Sequence, residues 1–175
     1  PGIPEDKLQA ATTAIQATGL DHRNNAITGG LIACTGSRGC KYAAADTKGN
    51  AISLGNHLAS KMILDQPVNI HLTGCHHSCA QHYIGDIGMM GTRVKIADGS
   101  TVDGYNIVLG GGADDTQATA REIWSGIAFD EIPGMIEQLL CTYLAQREDD
   151  ETFANFTRRL SIDELRGLVA ARAAA

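Results

Sequence analysis

Aromatic side chains are scarce in this chain, at 5% of its residues, so a large ring-packed core is excluded and something else must help hold the middle together. No stretch approaches the roughly 18 consecutive apolar residues of a membrane span, and no charged-then-apolar leader opens the sequence. Positive charge is also thin. No basic run is longer than Arg158-Arg159, and 14 Lys and Arg against 20 Asp and Glu give a net charge of -6, which argues against a nucleic-acid surface. That balance suits a cytoplasmic protein. The chain begins at Pro1 rather than Met, so the expectation is a piece of something longer. Glycine is plentiful, 20 among 175 residues, and the 43% apolar and 19% charged fractions are those of one globular domain spanning residues 1–175.

The five cysteines, Cys34, Cys40, Cys75, Cys79 and Cys141, are odd in number, which disfavours a disulfide framework and points to a reducing compartment. Four of them form two short pairs, Cys34 with Cys40 and Cys75 with Cys79, each in a turn-rich stretch following a strand-like run. A fold that joins the pairs makes a four-thiolate site. Zinc is one reading, since His71, His76, His77 and His82 lie close to the second pair, although five residues between Cys34 and Cys40 is wide for a structural zinc site. Buried small hydrophobes are another. A 4Fe-4S cube spreads its thiolates more widely and takes backbone N–H donors, for which Gly36, Gly39 and Gly74 leave room, so the spacing favours a cluster.

Periodicity supplies the scaffold. Residues 4–20 read as a helix stopped at Gly19, and residues 30–33 as a short buried strand running into Cys34. Residues 41–64 are Ala-rich and read as helical, and residues 67–72 alternate as a half-buried strand ending at Thr73-Gly74-Cys75. A βαβ unit of this kind places both cysteine loops at one end of neighbouring parallel strands. Residues 87–96 and 105–109 read as further strands, with turns at Asp98-Gly99 and Asp103-Gly104. Asp130 and Pro133 open a helix striped with Ile132, Met135, Ile136, Leu139, Leu140, Tyr143 and Leu144, on which Cys141 is packing. Phe153 and Phe156 share a face in residues 151–160, Ser161 to Glu164 is a capping box, and residues 170–175 fray. The fold class is α/β (α+β): a central mixed sheet whose βαβ unit presents two cysteine loops, with helices packed on it and further helices at the C-terminus.

At these residues the chain resembles a known family. Ala33-Cys34-Thr35-Gly36-Ser37-Arg38-Gly39-Cys40-Lys41, Thr73-Gly74-Cys75-His76-His77-Ser78-Cys79-Ala80-Gln81 and Ile84-Gly85-Asp86-Ile87-Gly88-Met89-Met90-Gly91 look like the sirohaem and 4Fe-4S domain of nitrite and sulfite reductases. Precorrin-3B synthases share a related cysteine pattern. The resemblance implies that Cys34, Cys40, Cys75 and Cys79 ligate the cluster and that Cys79 is also the axial ligand of the sirohaem iron. It further implies electrons from ferredoxin or a reductase domain, and reduction of nitrite to ammonia by six electrons, with sulfite to sulfide as the alternative. A second alternative is a non-enzymatic module stabilised by zinc or a bare cluster.

The family commonly carries Pro-Asn where this chain has His76-His77, so His77 reads either as a donor to a sirohaem carboxylate or the cluster edge, or as a solvated loop residue. His71 and His82 read as structural, and His22 and His57 as surface or helix-face residues. Arg38 and Lys41 flank Cys40 and read as cofactor contacts or solvated charges; Arg93 and Lys95 are the other cations near the motifs. Sirohaem carries eight carboxylates, more than these cations offset, so the remaining half of the reductase is expected to supply the rest, and this length alone is expected to lack turnover.

Overall fold

One mixed sheet organises the chain, which the computed structural model describes for residues 2–19, 25–113 and 116–173; its strand Ile70–Thr73 is buried on both faces rather than half-buried. Its strands lie in chain order: β1 (Leu31–Ala33), β2 (Ile70–Thr73), β3 (Ile87–Lys95), β4 (Thr101–Leu109) and β5 (Arg121–Ala128). The first three are parallel, with Ala33 opposite Leu72 and Leu72 opposite Met89, and the last three form an antiparallel meander. Helix α1 (Leu8–Ala17) buries none of its residues; α2 (Thr47–Lys61), α3 (Ile132–Gln146), α4 (Phe153–Arg159) and α5 (Ile162–Ala173) follow.

Successive strand residues face opposite sides of the sheet, and the two sides do different work. Ile70, Leu72, Ile87, Met89, Tyr105, Ile107, Leu109 and Ile123 are fully buried in a core shared with Leu54 and Leu58 of α2, Ile136 and Leu140 of α3, and Phe153 and Phe156 of α4. Each such side chain contributes on the order of 1.5–3 kcal/mol. His71 and Thr73 lie on the other side, under the crossover of residues 74–86 that joins parallel β2 and β3. Ala80 N–H donates to Thr73 Oγ1 at 3.3 Å, and His71 Nδ1 meets the Gln81 carbonyl at 3.2 Å. Gly88 is required there, because a Cβ would fall 1.9 Å from the His82 carbonyl oxygen.

Several boundaries depart from the periodicity. The expected helix over residues 41–64 begins only at Thr47, where Asp46 caps it by accepting from Gly49 N–H at 3.2 Å. The alanines before it are held in turns, with Ala44 N–H given to the Gly74 carbonyl at 2.7 Å. The expected strand over residues 67–72 starts at Ile70, since Val68 N–H is drawn to the Ala26 carbonyl. Asp103-Gly104 is no turn but the middle of β4: Asp103 sits opposite Arg93, and a Cβ on Gly104 would be 2.3 Å from Val94. The Asp98-Gly99 turn is present, with Gly99 at φ 86°.

Strand β5 carries no clear alternation and has no counterpart among the expected strands; as one of the two edge strands it buries only Ile123 fully. A 3₁₀ turn over Phe129–Glu131 precedes α3 in place of a cap at Asp130. At the N-terminus a 3₁₀ turn, Glu5–Lys7, leads α1, which Gly19 follows at φ 78°. The capping box closes as expected, Glu164 N–H donating to Ser161 Oγ at 3.2 Å and Ser161 N–H to Glu164 Oε2 at 2.8 Å. Helix α5 runs on to Ala173 rather than fraying from residue 170. His22, Leu20 and residues 174–175 lie outside the described residues.

Candidate metal centre

Because β1 and β2 are parallel neighbours, the loops that leave their C-terminal ends start side by side. Cys34 is the first residue past β1, its N–H still bonded to the Leu72 carbonyl at 3.1 Å, and Cys75 follows β2 after Gly74. The first loop folds on Gly36, whose φ of 72° suits glycine and whose carbonyl accepts from both Gly39 and Cys40, the latter at 2.9 Å. A Cβ at Gly36 would stand 2.6 Å from Thr47 Oγ1. In the second loop Ser78 and Gln81 take positive φ, and Ser78 N–H returns to the Cys75 carbonyl at 3.2 Å.

Two bonds tie the loops together. Gly74 N–H donates to Cys34 Sγ at 3.2 Å, and Ala44 N–H to the Gly74 carbonyl at 2.7 Å. The contact tolerates no side chain at Gly74, where a Cβ would lie 2.6 Å from Ala43 Cβ. Thr47, fully buried in the first turn of α2, donates to the Cys34 carbonyl at 2.8 Å and stands 3.6 Å from Cys34 Sγ. The positive end of α2 thereby faces the cysteine loops, where a thiolate-held group carries negative charge.

All five cysteines are free thiols; Cys34, Cys40 and Cys75 are half-buried and Cys79 is exposed. Among the described residues no group of three or more His, Cys, Asp or Glu side chains is set closely enough for a single metal ion. The donor set offered by the two loops is soft sulfur at one end of the sheet, with a backbone N–H aimed at Cys34 Sγ. These features fit a polynuclear iron–sulfur group better than zinc.

The other expected site residues fall around these loops. Arg38 is 76% exposed and is paired through Nε with Asp46 Oδ2 at 2.6 Å. Asp46 N–H in turn donates to Asp103 Oδ2 at 2.8 Å, and Arg93 Nη1 donates to Asp103 Oδ1 at 2.6 Å. Lys41 Nζ lies 5.0 Å over the ring of Tyr42, and that ring meets His77 edge-on at 5.2 Å. His77 Nδ1 is 3.3 Å from Cys75 Sγ. Two of the local cations are thus occupied by carboxylates of the same chain, which leaves few to meet a polyanionic macrocycle.

His57, His71 and His82 have structural roles. His71 is buried under the crossover. His82 Nδ1 pairs with Ser78 Oγ at 3.2 Å, and burial, then the neighbouring His71, pushes its pKa down. His57 bonds Glu137 across α2 and α3 at 2.7 Å, a link that one helix pattern read alone does not reveal. Cys141 is half-buried on α3, away from the loops in sequence. Tyr42, Thr47 and Asp103 were not foreseen at the site. Only Thr47 left a signal, as the residue after a helix-capping Asp.

The comparisons with known proteins bear on the same residues. The family described as nitrite and sulphite reductase 4Fe-4S domain matches residues 28–175. Sulfite reductase (ferredoxin) 1 of Mycolicibacterium paratuberculosis is 32% identical over 170 residues, covering 94% of this chain and 31% of that protein. Ferredoxin–nitrite reductase of Synechococcus elongatus is 34% identical over 138 residues, covering 79% of this chain and 27% of the relative. The solved Mycobacterium tuberculosis NirA protein superposes with a TM-score of 0.82 at 29% identity, over 94% of this chain and 31% of that one. A dissimilatory sulfite reductase I shares the fold, with a TM-score of 0.74 at 12% identity. The chain spans about a third of the length of the curated relatives it matches.

Proposed function

The chain belongs to the nitrite and sulphite reductase 4Fe-4S domain family, and from that premise we propose that it is the cluster-bearing part of a longer sirohaem-dependent reductase. In this reading residues 1–175 form one domain, and Cys34, Cys40, Cys75 and Cys79 hold a 4Fe-4S cluster. The observation that carries it is the pairing of the two cysteine loops at one end of parallel β1 and β2, joined by Gly74 N–H to Cys34 Sγ. Cys79 would also ligate sirohaem iron, and its exposure, unlike the half-burial of the other three, supports a role on the outer side of the site. Bound together, such groups supply single electrons to a substrate held on iron.

What the chain itself does is then largely electrostatic and positional. Gly74 N–H and the start of α2 meet negative charge on the sulfurs, and the turns at Gly36 and Ser78 fix where the thiolates point. Lys41, exposed and uncommitted to a carboxylate among the described residues, is the cation of this loop best placed for a propionate or acetate group; Arg38 contributes only by leaving Asp46. The cations still required belong to the remaining half of the reductase.

The proposed reaction is the six-electron reduction of nitrite to ammonia, with ferredoxin or a reductase domain as donor in the cytoplasm. No described helix is long and apolar enough to cross a membrane. Sulfite is the second reading, favoured by the 94% of the chain that aligns with a relative named sulfite reductase.

The test is anaerobic purification of the full reductase with single Cys→Ser changes. Cys79→Ser is expected to lose the Soret and long-wavelength haem bands more completely than Cys34→Ser. Equal haem retention removes Cys79 as the haem ligand, and a colourless wild-type protein supplied with iron and sirohaem removes the whole reading. Turnover of nitrite against sulfite by that holoenzyme decides the substrate.

A further inference from the structure

Tyr42 has no place in the core. It is 60% exposed, yet its ring is engaged: it meets His77 of the other cysteine loop edge-on, with ring centroids 5.2 Å apart and planes at 65°. On its own loop, Lys41 Nζ sits 5.0 Å from the ring centroid. His76 lies against His77 as well, at 4.4 Å and 34°. An exposed histidine ordinarily samples several rotamers; here the imidazole is braced by aromatic neighbours from both loops. Its Nδ1 stands 3.3 Å from Cys75 Sγ.

We propose that His77 is a positioning and tuning residue of the cluster, donating an Nδ1–H hydrogen bond to the Cys75 thiolate while Tyr42 holds its ring in that orientation. The proposal rests on the reading of Cys75 as a cluster ligand. A ligating sulfur is a thiolate with lone pairs and no proton, so at this separation it accepts and the imidazole nitrogen donates. The bond reaches Cys75 and not Cys79, so its effect falls on the cluster. Each electron taken up adds negative charge to the sulfurs, and a donor aimed at one of them stabilises the reduced form, which raises the reduction potential.

Cys34 receives the same service from Gly74 N–H, a backbone rather than a side-chain donor. His77 supplies the side-chain counterpart on the second loop. Tyr42 makes that donor dependent on the relative placement of the two loops, because the brace stands on one loop and the donor on the other. His77, which the sequence leaves open between a haem-carboxylate or cluster-edge contact and a solvated loop residue, is thus assigned one acceptor, and Tyr42 is assigned a role.

The experiment is an EPR-monitored redox titration of the holo-reductase, with iron content measured in every variant. His77→Phe keeps an aromatic ring against Tyr42 but has no donor, and its cluster potential is expected to move negative at full iron content. His77→Asn, with an amide N–H of similar reach, is expected to recover part of the shift. Tyr42→Phe is expected to match wild type, and Tyr42→Ala to fall between wild type and His77→Phe. Haem bands are expected to persist throughout.

Wild-type potential in His77→Phe at full iron content overturns the inference and leaves the cluster reading standing. If His77→Phe comes without iron, the Tyr42 pair decides: an unchanged potential in Tyr42→Ala overturns the inference, and a negative shift that is absent from Tyr42→Phe upholds it. A wild-type protein without a cluster, or Cys75→Ser with an unaltered cluster, overturns the reading and the inference together.

Discussion

A single missing methyl group lets the two cysteine loops meet. Gly74 presses its backbone onto Ala43 and Cys34, where an added Cβ would stand 2.6 Å from Ala43 Cβ and 3.6 Å from Cys34 Sγ. Gly74→Ala is therefore expected to push the loops apart, with a loss of about 1–3 kcal/mol in denaturant unfolding and reduced iron loading. Full iron content with an unchanged unfolding midpoint would refute this. Asp86 works in the opposite electrostatic sense. Burial raises its pKa above the ordinary 3.8, and Asn69 N–H at 2.8 Å, Arg158 and His71 offset only part of that. The folded protein holds this proton more firmly than the unfolded chain does. The carboxylate thus costs stability at neutral pH, and the cost fades as pH falls through the raised pKa, vanishing below 3.8. Asp86→Asn keeps an acceptor for Asn69 N–H, so urea unfolding is expected to show its advantage over wild type at pH 7 shrinking toward about pH 4. A gap that stays constant with pH rules out the charge as the cause.

Helix α2 illustrates how an element's start matters more to the site than its length. Asp46 accepts from Gly49 N–H as the cap and pairs with Arg38 of the cysteine loop, so it fixes both the helix start and the loop end. Asp46→Ala is expected to cost about 1 kcal/mol, the usual worth of a cap, and Arg38→Ala much less, because an exposed ion pair contributes little. Asp46→Asn restores the cap and should recover most of the loss; equal destabilisation by the Ala and Asn changes would show that capping is not the cause. This start was not legible from composition, since residues 41–46 are as Ala-rich as a helix and are turned aside by bonds to the distant Gly74 carbonyl and Asp103 carboxylate. What was legible depended on local chemistry: the cysteine loops after two strands, the Asp98-Gly99 turn, the Ser161 capping box, and the buried stripe of α3. Strand β5 was illegible because an edge strand with one fully buried residue has no alternation to show, and Asp103-Gly104 misled because its Asp answers Arg93 across the sheet. The contact between Tyr42 and His77 joins loops distant in sequence, and no spacing rule reaches it.

At the scale of the whole molecule, the loop cysteines and the core occupy different places. None of the loop cysteines belongs to the buried apolar cluster, which lies between the helices and one face of the sheet. The loops are held by a few backbone bonds: Cys34 N–H to Leu72, Cys40 N–H to Gly36 and Ala44 N–H to Gly74. Strands β3 and β4, by contrast, pair along their full length from Ile87 opposite Leu109 to Lys95 opposite Thr101. A cluster bound by four thiolates would close the loops on each other and add its binding free energy to them first. Stripping it from the holo-protein is therefore expected to leave the core folded and to release the loops as a local unit. Hydrogen exchange checks this: protection of the Cys34, Cys40 and Ala44 amides should collapse on iron removal, while amides of β3, β4 and α3 keep theirs. Loss of protection across the whole sheet would mean instead that the iron–sulfur group is part of the global fold, and unchanged loop protection would mean that the loops stand without it.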